Sequence, residues 1–81
     1  MMNDQQIREH IEQLVAEEHH LLEHGETHNL TPEDRRRLES VEVQLDQYWD
    51  LLRQRRARRD AGQDPNIAHL RSEGVVEHYR Q

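Results

Sequence analysis

Two runs of apolar residues, each stepping alternately three and four positions, constrain this chain more than any other feature. The first is Ile7, Ile11, Leu14 and Leu21, with Glu18 on the same seam and Val15 and Leu22 widening it. The second is Leu38, Val41, Leu45, Tyr48 and Leu52, with Trp49 and Leu51 beside it. This spacing lines one face of an α-helix in a coiled-coil-like stripe, whereas a half-buried strand needs a period of two. Stop and start signals bracket both runs. Asn3 can cap the first helix, with Gln6 three residues on and Met2 placed to staple Ile7. Gly25 is positioned to end it. Thr31-Pro32-Glu33-Asp34 opens the second helix with a cap, a proline at the first helical position and acids in the first turn.

The expected fold is all-α and forms a single domain over 1–81. It is an antiparallel two-helix hairpin with helices at about 4–24 and 32–61, a loop at 25–31 and a short C-terminal helical tail at 65–81. Gly62 stops the second helix. Asp64-Pro65 restarts a short helix through 66–71, Ser72-Glu73-Gly74 is a break or a second cap, and Val75, Val76 and Tyr79 make a small apolar patch.

Size then raises the question of what covers the stripes. A chain of 81 residues, 32% apolar, buries only about 60% of its unfolded surface. It has no cysteine, so no disulfide can supplement the core. A two-fold homodimer forming a four-helix bundle is the expected solution. The alternative is a monomer whose 65–80 tail covers the stripe. No apolar run approaches the roughly 20 residues that span a bilayer. Met-Met-Asn-Asp-Gln-Gln lacks the features of a signal peptide, so a cytoplasmic protein without a membrane partner is expected.

Charge is unevenly distributed around the formal net of −6. Residues 1–34 hold nine acids and one arginine, and residues 35–59 hold eight arginines and four acids. Five arginines crowd into residues 53–59, next to Trp49. The second helix is the longer, so this end is expected to project past Ile7 and to need company. Trp49, Arg53, Arg55, Arg56, Arg59 and Tyr79 are therefore the candidate interaction residues. The arginines can pair with carboxylates in this chain or a second subunit, or meet an acidic protein partner. They can also bind phosphates, which gives the alternative of a nucleic-acid or transcription-machinery accessory. The negative overall charge disfavours that alternative.

Chemistry of the chain's own is hard to find. Glu17 and His20 form a Glu-x-x-His pair, and His20 and His24 lie four apart. These are weak metal candidates, because di-iron bundles need several inward ligands from several helices. No metal site or other cofactor is expected. Glu18 is read as a buried polar residue that sets helix register, with Arg35, Arg37 or an Arg or Tyr of a second subunit as its partner. No nucleophile, base and orienting group are specified by spacing, so no catalytic residue is assigned. The expected function is a non-catalytic helical interaction or regulatory module.

One stretch is distinctive: Leu45-Asp46-Gln47-Tyr48-Trp49-Asp50-Leu51-Leu52-Arg53-Gln54-Arg55-Arg56-Ala57. Glu17-Glu18-His19 lies upstream; Ala61-Gly62-Gln63-Asp64-Pro65 and the Val75–Gln81 tail lie downstream. Together they resemble the actinobacterial domain of unknown function 2630 family across nearly the whole chain. Members of that family often carry Cys at the position of Tyr48, and its replacement here argues against a thiol-dependent role. The resemblance implies a small stand-alone bacterial protein and supplies no catalytic residue or cofactor.

Overall fold

Capping chemistry sets the start of the first helix, α1 (Asp4–Thr27). The Asn3 side chain accepts from the Gln6 backbone N–H at 2.8 Å, and the Gln6 side chain accepts from the Asn3 N–H at 2.9 Å. The second helix, α2 (Pro32–Asp60), opens with the same reciprocal arrangement between Thr31 and Asp34. Each capping box satisfies two backbone donors that the first turn would otherwise leave unpaired. A 3₁₀ turn (Pro65–Ile67) and a short helix, α3 (Glu73–His78), follow. The computed structural model describes residues 2–78, and no strand occurs among them.

The hairpin is antiparallel, and the two seams meet. Ile7, Ile11, Leu14, Val41, Leu45 and Leu51 form the core, joined by Ala68 from the tail, with Met2, Tyr48 and Leu52 packed around them. Leu21 is buried further along α1, while Val15 and Leu22, expected to widen the stripe, remain exposed.

Two boundaries differ from those the sequence suggests. α1 passes through Gly25 and ends two residues later, so the loop shrinks to 28–31. His28, in an extended conformation, terminates the helix, and its N–H donates to the His24 carbonyl. Residues 66–71 hold only the end of the 3₁₀ turn, followed by non-helical chain. In the terminal patch Val76 is buried and Val75 exposed; Tyr79 lies outside the described residues.

The tail packs against α2 on a side that the apolar pattern does not mark. Gln47 donates to the Arg71 carbonyl at 3.1 Å and Gln54 to the His69 carbonyl at 2.8 Å. Asp50, buried, accepts from Gln54 at 2.9 Å and lies 3.5 Å from the Arg71 guanidinium. At about 100° per residue, Gln47 and Gln54 lie roughly 140–160° around α2 from Trp49. The tail therefore leaves the Trp49 side of the hairpin open.

Candidate functional site

Four of the five arginines at the end of α2 divide into two sets; the fifth, Arg58, donates to Gln63 Oε1 at 3.0 Å. Arg55 is buried, contrary to its expected place on a partner-facing surface. Its Nε donates to Asp4, and its Nη1 donates to the Pro65 carbonyl at 3.3 Å and to Asn66 Oδ1 at 3.1 Å. Arg59 reaches the other Asp4 oxygen at 2.7 Å. The company expected for the projecting end is thus supplied from within the chain. A carboxylate at the start of α1 also lies where the helix dipole favours negative charge. The Arg59 and Arg55 guanidiniums hold the Asp4 carboxyl below its usual range, hydrogen bonding outweighing the opposing effect of burial.

Arg53 and Arg56 form the second set, joined by Arg8 from α1. All three are exposed, and among the described residues no carboxylate pairs with them. They surround Trp49 and Leu52 at the end of the hairpin. Arg8 escaped the sequence reading because it stands alone in an acidic segment. Only the hairpin register brings it opposite Trp49.

Trp49 also lines an open groove of about 670 Å³ along α1. Ile11, Val15 and Ala16 line its floor; Arg8, Glu12, His19 and Glu23 form its rim. The apolar exposure here is substantial: Val15 is 40% exposed and Trp49 47%, and Leu22, 46% exposed, stands two turns from Val15 on the same face of α1. Isolated exposed apolar residues need no explanation, but a contiguous set rimmed by charge marks a contact surface.

The metal candidates are engaged elsewhere or dispersed. Glu17 forms a two-pronged pair with Arg37, through Arg37 Nε and, at 2.7 Å, through Arg37 Nη2. That pair lowers the Glu17 pKa and raises that of Arg37, with hydrogen bonding the main cause in both. His20 is exposed, and His24 stacks on His28 with centroids 4.9 Å apart. Among the described residues no cluster of three or more His, Cys, Asp and Glu is suited to hold a metal. The carboxylate that crosses to Arg37 is therefore Glu17, not Glu18. Glu18 is half-buried, and no hydrogen bond or ion pair engages it among the described residues.

Residues 3–81 match the family model described as "Protein of unknown function (DUF2630)". The chain belongs to the DUF2630 family. Uncharacterized proteins of Mycobacterium tuberculosis and Mycobacterium bovis are 46% identical to this DUF2630 chain over 79 residues. The alignments cover 94% of this chain and 88% of each relative. No solved structure matches it significantly. Among the described residues no helix is long and apolar enough to cross a membrane.

Proposed function

We propose that this chain is a cytoplasmic binding module without chemistry of its own, and that it recognises an acidic protein surface. The observation that carries this reading is the exposed indole of Trp49 beside Arg8, Arg53 and Arg56, none of them paired with a carboxylate among the described residues. Aromatic and arginine side chains are the types most enriched at the energetic centres of protein interfaces. Guanidinium groups match carboxylates two bonds at a time. Nucleic acid is the weaker reading. Arg55 and Arg59 are committed to Asp4, Arg58 donates to Gln63, and Arg8, Arg53 and Arg56 sit on a chain of net charge −6.

Trp49 is the sole tryptophan, so its emission reports directly on the surface. Titration with a glutamate-rich helical peptide is expected to shift that emission, with affinity falling as salt rises. The Arg53→Ala/Arg56→Ala variant should lose the response. A shift with labelled duplex DNA but not with the peptide would replace this reading by the nucleic-acid one. No response to either would remove both.

A further inference from the structure

We propose that the groove along α1 takes a second copy of this chain, packed antiparallel on α1 about a two-fold axis between Val15 and Ala16. The inference rests on the acidic-partner reading above and names that partner. The six residues carrying it are Arg8, Glu12, Val15, Ala16, His19 and Glu23, all exposed and all lining the groove. Their order is self-complementary under an antiparallel pairing. From the centre outward, Val15 meets Ala16, Glu12 meets His19 and Arg8 meets Glu23, each match occurring twice by symmetry. A two-fold interface requires one patch to complement itself, and here every charged position meets one of opposite sign or a protonatable imidazole. Within each copy His19 already lies 3.2 Å from Glu23. The paired copies would therefore link Glu12, His19, Glu23 and Arg8 into one network on each side of the axis. Ala16 at the axis is small enough to let two helices approach to the roughly 8–10 Å of a packed pair.

The same symmetry accounts for groups outside the six. The axis is perpendicular to the plane through the two α1 helices, so both α2 helices fall on the same side of that plane. Trp49, level with the first third of α1, then comes level with Leu22 of the partner copy. The two largest exposed apolar residues beside the groove would cover each other. Arg53 and Arg56 come level with Glu23 and Glu26 of the partner copy, so the basic end of one molecule meets the acidic end of the other. The tail is anchored on the far side of α2 and does not obstruct this packing.

Sedimentation equilibrium of the full chain between about 5 and 200 µM tests the proposal. The wild type is expected to reach twice the chain mass. Ala16→Glu, which sets two carboxylates together at the axis, should yield a monomer with an unchanged helical circular dichroism spectrum. Arg8→Glu and Glu23→Arg should each weaken the dimer about tenfold or more through like-charge contact. The double variant Arg8→Glu/Glu23→Arg should regain most of the loss, because its charges are complementary again. A wild type monomeric over the whole range overturns the proposal, as does a dimer indifferent to Ala16→Glu or a double variant no tighter than the singles. A monomer whose Trp49 still responds to the glutamate-rich peptide sinks only the self-pairing. A monomer without that response sinks the acidic-partner reading as well.

Discussion

Asp4 holds two guanidinium groups at once, and its consequences are electrostatic. Its folded pKa lies below the unfolded value because Arg59 and Arg55 favour the carboxylate. A depressed carboxyl stabilises the fold above the unfolded pKa, near 3.9, and loses that contribution as pH falls through the folded value. Asp4→Asn should therefore cost about 2 kcal/mol at pH 7, the order expected when charge-assisted hydrogen bonds to a buried arginine are lost. Urea midpoints of variant and wild type should converge as pH falls below about 4 and through the folded pKa of Asp4. A constant gap across that range would assign the loss to packing instead of charge. The sequence could not specify this pair, because Asp4 and Arg55 stand 51 positions apart and neither belongs to a periodic pattern. Glu17 and Glu18 teach a related lesson. Periodicity correctly brought a carboxylate near the α1 seam, but the one that crosses to Arg37 is its neighbour. Long side chains reach beyond the face on which their Cα lies, so spacing resolves a face and not a partner.

At the level of elements, two glycines that looked like equal stop signals behave differently. Gly62 ends α2 at φ +72°. Its N–H donates to the Arg59 carbonyl, and the Gln63 N–H donates to the Arg58 carbonyl at 2.7 Å. This is the double bond of a Schellman cap, which needs a left-handed residue. Gly25 stays helical. Glycine lowers helix stability by only about 1 kcal/mol relative to alanine, and Leu30 folds back onto the space a side chain would take. A Cβ on Gly25 would lie 3.2 Å from Leu30 Cγ. Gly25→Ala should therefore gain less than the propensity difference in the wild-type background. With Leu30→Ala present it should gain about 0.5–1 kcal/mol relative to that single variant. Thermal melts of the four members of this cycle measure the coupling, and equal gains in both backgrounds would exclude the contact. The helices themselves were legible because caps and seams agreed. The end of α1 was not, because a glycine permits a stop without requiring one.

The whole molecule is extended, 49 × 26 × 18 Å with a radius of gyration of 14.8 Å, against about 12 Å for a compact domain of this length. Such a shape has more helix surface than one short tail can cover, and what the tail covers decides which face stays open. Apolar periodicity suggested that either a second copy or the tail would close the stripe. The tail adds Ala68 to the core between the seams and otherwise lies along Gln47, Asp50 and Gln54, a side that is polar in sequence and so silent to any hydrophobic pattern. Its docking depends on side-chain donors reaching main-chain carbonyls, reinforced by burial of Ala68 and Val76. Gln47→Ala/Gln54→Ala removes both donors and strips the buried Asp50 of its closest hydrogen-bond donor. Each lost bond should cost about 1 kcal/mol, and amides in 65–77 should exchange faster with deuterium while those around Ile11 and Val41 keep their protection. Because the tail and the α1 groove lie on opposite sides of the hairpin, the same variant should keep the wild-type sedimentation behaviour. A change of association state with the tail loosened would mean that the two faces are coupled through α2, and that the open groove depends on where the tail is held.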